Sequence, residues 1–310
     1  MTQNGLAAVR ASITFYGTRG TCPTSGPHTL RYGGNTSCLE LRAADGSIVV
    51  LDAGTGIRPL GCALTGLEDV SPAIIAAGRR NSAQRDINLF LTHRHSDHVM
   101  GLPHFMPLHS RSHTVHVRCG DADSRGIANF IASLVSPPLF PYVEGLAGRL
   151  LIHDWPSHEG VRVGELLVRR FAANHPGGAA IVRVDDGNGP LLAYAPDNEL
   201  ALSDESESHQ HWLKELREYL HKVPLLIHDS TYTAHELLEH KGWGHSSDEE
   251  ALGLAEQCEA GTLALFHHHP DRSDDAIDEM LQRVKCLASR NASAQAPTIL
   301  AASDDLTLSI

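Results

Sequence analysis

The stretch Ile87-Asn88-Leu89-Phe90-Leu91-Thr92-His93-Arg94-His95-Ser96-Asp97-His98 runs from an apolar strand pattern straight into four potential metal ligands. Packing does not require that density of imidazole and carboxylate at the exit of a buried strand. His93 and His95 stand two residues apart, so an extended or tightly turning backbone can aim both rings at one ion. Asp97 and His98, beyond the turn, can reach a second ion nearby. Imidazole combined with carboxylate suits zinc, and also manganese or iron.

One such run offers too few ligands for two ions, so other strand ends should supply the rest. His175 lies in Asn174-His175-Pro176-Gly177-Gly178, just after an apolar run ending at Phe171. Asp197 follows Tyr194-Ala195-Pro196, where a carboxylate can bridge both ions. The triplet His267-His268-His269 follows Leu263-Ala264-Leu265-Phe266. Each alone reads equally well as a loop histidine, a helix-start aspartate or a polar strand end. Their common position after apolar strands is what points to one site.

Strand-like runs occupy Ser12–Tyr16, Ser37–Arg42, Ser47–Leu51 and Ile87–Thr92, each bounded by turn residues. Further runs follow at Thr114–Arg118, Leu166–Phe171, Ala180–Val184, Leu191–Ala195, Leu225–His228 and Thr262–Phe266. Helical periodicity marks Glu205–Lys222, with Trp212, Leu213, Leu216 and Leu220 on one stripe. Asp248–Cys258 starts behind a Ser247/Glu250 capping box, and Asp274–Ala288 presents Ile277, Met280, Leu281 and Val284. Strands that cluster before helices alternate with them imply an α/β protein with packed sheets and helices outside. A single domain spanning 1–310 is expected, with residues 103–160 as an elaboration near the active-site mouth.

The 310 residues carry a formal net charge of −12, with 42% hydrophobic and 20% charged residues. That balance argues against a long nucleic-acid partner, which usually meets a basic face. A small anionic substrate stays compatible, because metal ions supply local positive charge. The apolar runs are too short to span a membrane. Met1–Arg10 has no basic segment followed by an apolar core, so no secretory signal is expected. The six cysteines contain no CxxC pair, which suits reduced thiols and a cytoplasmic location. Histidine is the outlier, at 21 residues; His104, His109, His113 and His116 are expected to be ordinary surface or core residues.

With these motifs the chain resembles the metallo-β-lactamase fold superfamily. More narrowly it resembles the branch of transfer-RNA 3′-processing endonucleases and small phosphodiesterases. The resemblance rests on His93–His98, on Phe15-Tyr16-Gly17-Thr18-Arg19-Gly20 and on Arg31-Tyr32-Gly33-Gly34-Asn35-Thr36-Ser37-Cys38. Leu51-Asp52-Ala53-Gly54-Thr55-Gly56, Ile227-His228-Asp229-Ser230-Thr231-Tyr232 and Gly244-His245-Ser246-Ser247 extend it. It implies a four-layer αββα sandwich of two mixed β-sheets. It also implies that His93, His95 and His175 hold one divalent ion. Asp97, His98 and His267 would hold the other, with Asp197 bridging. Within the triplet His269 is the alternative ligand, and His268 should face away or support a ligand from behind.

The same resemblance implies two zinc ions, with manganese or iron possible, and a bridging hydroxide that attacks phosphorus. The leaving alkoxide then needs a proton. His245 is the candidate acid and Asp229 its orienting partner, with Asp97 the third candidate catalytic residue. Asp52 is read either as support for a ligand histidine or as a turn former. Arg19, Asn35 and Thr36 either line the substrate mouth or form tight turns, and Trp243 either stacks on a base or packs on the metal loop. The expected function is a phosphodiesterase acting on a cyclic nucleotide or short nucleotide, as a possible homodimer. Thioester, lactone or β-lactam hydrolysis, or a non-catalytic metal-bound carrier, are the alternatives.

Overall fold

Period-two burial along the strands builds two sheets that share one inner layer. In this computed structural model residues 9–66, 86–141, 149–157, 159–201, 203–290 and 296–310 are described. Strands β1 (Ala11–Gly17), β2 (Cys38–Ala43), β3 (Ile48–Leu51), β4 (Asp86–Leu91), β5 (Thr114–Cys119) and β6 (Arg149–Ile152) lie in the first sheet. The second holds β7 (Val161–Val163), β8 (Leu166–Ala172), β9 (Ala180–Asp186), β10 (Gly189–Ala195), β11 (Leu225–Asp229), β12 (Thr262–Phe266) and β13 (Thr298–Ala301). The last strand, β14 (Thr307–Ser309), returns to the first sheet, whose order is β14-β1-β2-β3-β4-β5-β6. The second runs β13-β12-β11-β10-β9-β8-β7. Each sheet is mixed: β3 to β6 are parallel, as are β10 to β13, and the remaining neighbours are antiparallel.

Alternation decides which face each residue serves. Along β4, Phe90 enters the layer between the sheets while Ile87, Leu89 and Leu91 face the outer helices. On β12, Ala264 and Phe266 point inward, and Leu263 and Leu265 pack outward. Phe266 meets Phe15 at 6.3 Å and Tyr194 at 5.4 Å between ring centroids, joining the sheets just below the loops that matter.

Helices α1 (Ile57–Thr65), α2 (Ser96–Val99) and α3 (Ser124–Leu134) follow strands of the first sheet. Helices α4 (Glu207–Leu220), α5 (Ala234–Leu237), α6 (Asp248–Gln257) and α7 (Asp274–Arg290) belong to the second half of the chain. Leu213, Leu216 and Leu220 of α4, Ala251 and Leu254 of α6, and Ile277, Met280 and Val284 of α7 cover the second sheet. The result is the αββα sandwich expected from the sequence. The Ser247/Glu250 capping box is present as read, and Trp212, also on the expected stripe, is only partly buried, its Nε1 donating to Ala172 O.

Helices α1, α2, α3 and α5 and the short strands β6, β7, β13 and β14 escaped the sequence reading. Pro59 and Gly61 disguise α1. Proline is harmless in a first helical turn, and a Cβ on Gly61 would come within 2.8 Å of Met106 N. Of the stretch 103–160, residues 103–141, 149–157, 159 and 160 are described; they include β5 and β6 of the first sheet and α3 packed on it.

Candidate metal centre

Parallel strands deliver their C-terminal ends to one edge of the sandwich, and the candidate ligands sit on the loops there. β4 leads into His93, and His95, in extended backbone, opens α2, which carries Asp97 and His98. His175 follows β8, Asp197 follows β10, Asp229 ends β11 and His267 follows β12. Two of the flanking residues take left-handed backbone, Asp52 at φ 61° and His267 at φ 60°. For non-glycine residues that conformation costs about 1–3 kcal/mol and is kept where surrounding contacts enforce it. Gly20 allows the opposite loop to lie over this turn, since a Cβ there would sit 2.2 Å from the His267 ring.

Among the described residues three groups have ligand atoms within 4.8 Å of one another: a trio of Asp229, His245 and His267, and two larger groups that adjoin. His93, His95, His175 and Asp197 form one; Asp97, His98, Asp197 and His267 form the other. Asp197 belongs to both. Its Oδ2 lies 3.5 Å from His93 Nε2 and 3.5 Å from His175 Nε2. Its Oδ1 lies 3.0 Å from His98 Nε2 and 3.2 Å from His267 Nε2. Asp97 Oδ2 is 3.1 Å from His267 Nε2 and also accepts from Thr21 N at 2.7 Å.

Hydrogen bonds on the far side of each ring establish what faces inward. His98 Nδ1 meets Asp52 Oδ2 at 2.8 Å, and a carboxylate only accepts, so Nδ1 carries the proton. His175 Nδ1 donates to Gly244 O at 2.9 Å. The Thr231 hydroxyl has Asp229 Oδ1 and His267 O as acceptors, so it receives the proton of His267 Nδ1. Thr92, whose hydroxyl donates to Asp52, receives His93 Nδ1 in the same way. Four imidazoles therefore have only Nε2 left to aim at Asp97 and Asp197, as a lone pair wherever a metal ion replaces its proton. Lone pairs that converge at 3.0–3.5 Å repel unless cations stand among them, and buried His93 Nε2, His98 Nε2 and Asp197 Oδ1 lack a hydrogen-bond partner. The donor set fits two divalent ions.

Charge reinforces this arrangement. Burial works to raise the Asp97 and Asp197 carboxyl groups, but positive charge on the surrounding rings outweighs it and holds both well below the usual carboxylate range, and divalent ions in place of those ring protons would act in the same direction. Both stay in the ionised, ligand form. Burial, with the neighbouring histidines, pushes His93 down, toward the neutral form that can ligate.

A family model for the β-lactamase superfamily domain matches residues 49–268. The chain belongs to the β-lactamase superfamily. It is similar to ribonuclease Z of Pyrococcus horikoshii, with 23% identity covering 83% of this chain and 86% of that one. Among solved structures it is similar to the short form of human tRNase Z, at 19% identity and TM-score 0.61, covering 96% and 99% of the two chains. Unliganded yeast PDE1 gives 15% identity and TM-score 0.68, covering 97% and 100%. At these identities the structural likeness shows the superfamily fold, a fold that implies divalent metal ions.

Beside the two groups of this superfamily site stands His245. Its Nδ1 donates to Asp229 Oδ2 at 2.8 Å, and its ring stacks on His267 at 5.0 Å. Burial works to lower the imidazole, but the Asp229 charge and hydrogen bond prevail and raise it to about 9. Asp229 thus serves both sides: directly for His245, and through Thr231 for His267.

The structure also places the remaining residues considered in the sequence, some as expected and some not. Arg19 does not line a mouth: it is fully buried, its guanidinium donating to Gly33 O, His269 O and Arg272 O. Asn35 is bound to Asp304 and Thr36 to Thr55, so both brace the turn. His268 points away, to Ala302 O at 2.8 Å, and His269 lies outside both ligand groups. His104, His109, His113 and His116 also lie outside them. Asp52 supports His98 and is itself held by Thr92 and Tyr194. Thr21, Thr231, Tyr194 and Glu199 were not singled out from sequence; they are common residue types whose roles come from partners distant in the chain. Glu199 accepts from Gly242 N and Gly244 N, both at 2.8 Å, and so pins the His245 loop.

Proposed function

We propose that this protein is a dinuclear metal-dependent hydrolase that cleaves a small phosphodiester, such as a cyclic nucleotide or short nucleotide. The observation that carries the reading is His245, an imidazole kept protonated by Asp229 beside the two ligand groups but outside them. An alkoxide is a poor leaving group and needs a proton as it departs. A thiolate, the leaving group of a thioester, does not. The relative named ribonuclease Z acts, by its name, on RNA, whose links are phosphodiesters.

Bound divalent ions would activate water and neutralise charge on the phosphoryl oxygens. His93, His95, His175 and Asp197 would hold one ion; Asp97, His98, His267 and Asp197 the other. Five imidazoles and two carboxylates suit zinc, with manganese or iron as alternatives. His245 donates through Nε2, because Nδ1 is committed to Asp229. The net charge of −12 disfavours a long nucleic acid and leaves a small anion drawn in by the metals themselves. A cytoplasmic homodimer is part of the same proposal. Among the described residues no helix is long and apolar enough to cross a membrane.

The test is hydrolysis of a cyclic nucleotide and a dinucleotide, whose leaving groups are alkoxides, beside a chromogenic β-lactam and a thioester, with zinc or manganese supplied. Diester turnover that His245→Ala abolishes supports the reading. Activity confined to the lactam and thioester, or diester turnover untouched by His245→Ala, contradicts it.

A further inference from the structure

The loop that carries His245 also carries Trp243, and the two residues are set in place by the same contacts. Gly242 and Gly244 flank the tryptophan at φ 83° and 87°, in left-handed backbone that glycine adopts without strain. Both amides donate to the buried Glu199 carboxylate, Trp243 N donates to His240 O at 3.2 Å, and Gly244 O accepts from His175. A Cβ on Gly244 would fall 2.2 Å from His175 Nδ1, so the loop is drawn against the metal centre. Yet Trp243 is 61% exposed, whereas Trp155 is 3% exposed and Trp212 is half-buried. A fixed loop that holds a large ring mostly in water gains little packing from it, which marks the exposed ring as a contact surface.

Behind Trp243 the rings continue toward the acid. Its ring meets His240 edge-on at 5.0 Å, and His240 stacks on Tyr232 at 4.4 Å and 18°. Tyr232 in turn lies 6.0 Å from His245, nearly perpendicular to it. An aromatic wall therefore runs outward from His245 and ends in an exposed indole. We propose that this wall is a subsite for a planar aromatic group, the nucleobase of a cyclic nucleotide: the P–O bond to one ring oxygen breaks as His245 protonates that oxygen, and the ring-opened monophosphate keeps its base on the wall. The proposal rests on the phosphodiesterase reading for the reaction and goes beyond it in assigning the place where the base binds. Stacking is tolerant of base identity because every base offers a π-face, so the subsite selects nucleotides over aliphatic phosphate esters without distinguishing among bases.

The experiment is equilibrium binding of 5′-AMP and of ribose 5-phosphate to the metal-loaded protein. It is read by calorimetry and by tryptophan emission for wild type, Trp243→Phe and Trp243→Ala. The expected result is that AMP quenches wild-type emission and ribose 5-phosphate does not. Trp243→Ala weakens AMP on the order of tenfold, while Trp243→Phe retains most of the affinity and loses the quench. AMP binding that is absent from wild type, or equal in wild type and Trp243→Ala, overturns the proposal. Because binding requires no turnover, AMP affinity that depends on Trp243 in a protein without diesterase activity refutes only the reaction. Diester hydrolysis with AMP affinity insensitive to Trp243→Ala refutes only the subsite. Trp243 is exposed, so unchanged thermal unfolding of Trp243→Ala should accompany either outcome.

Discussion

Replacing Thr231 by valine removes one oxygen and keeps the shape, and the structure indicates where the loss falls. The hydroxyl receives His267 Nδ1 at 2.9 Å and faces Asp229 Oδ1 at 2.8 Å, both buried. Asp229 keeps Thr231 N, Asn198 N and His245 Nδ1 as donors, so its carboxylate stays satisfied. His267 instead loses the group that fixes its tautomer and ring angle. A buried donor left without an acceptor costs about 1–3 kcal/mol, and loss of a supporting contact behind a metal ligand typically costs about 10–100-fold in metal affinity. The two figures agree, since tenfold corresponds to about 1.4 kcal/mol. Chelator competition should show one of the two bound ions weakened by about 10–100-fold in Thr231→Val, the other little changed, and recovery in Thr231→Ser. Equal affinity for both ions in wild type and Thr231→Val would refute the role assigned to this hydroxyl.

Three other outcomes follow from the same contacts. His245 is raised to about 9, so its acid form is complete at neutral pH and is lost as pH rises through that value; the rate should fall on the alkaline side, and Asp229→Asn should move that limb to lower pH in a pH–rate profile. Gly244→Ala places a Cβ against His175 in left-handed backbone; unfolding should show a loss of about 1–3 kcal/mol, together with weaker metal binding. Glu236, which caps α5 and pairs with Arg272, is held at about 2 against burial by the Thr233 amide and that guanidinium. Its folded value is depressed, so its contribution is present above the ordinary glutamate range and lost as pH falls toward 2. Acid unfolding of Glu236→Gln should lack that component.

Ligand density made the metal groups legible from sequence, because few other reasons place four donors within six residues. The strand-exit rule then extended the set to His175 and Asp197, and the structure brings both to the same place. The choice between His267 and His269 was open in the sequence. In the structure the left-handed turn at His267 puts the first ring of the triplet, and not that of His269, among the ligand groups. Arg19 misled because a glycine-rich setting fits a substrate loop as well as a buried brace. What could not be read is the support behind the ligands. Thr231, Tyr194 and Glu199 lie 36, 142 and 43 residues from groups they hold, and nothing local marks them. In the fold, the readable strands are long and alternating; β7 and β14, three residues each, hold too little pattern to register.

The central claim is a two-ion site with a separate acid. The most direct test measures metal content and diester turnover together in wild type and His245→Ala. The account predicts two equivalents of divalent metal in both proteins, with turnover of a cyclic nucleotide or dinucleotide, whose leaving group is an alkoxide, lower by about 10²–10⁴-fold in the variant. Two equivalents with undiminished turnover in His245→Ala, or a wild-type protein that binds no divalent metal, would contradict it.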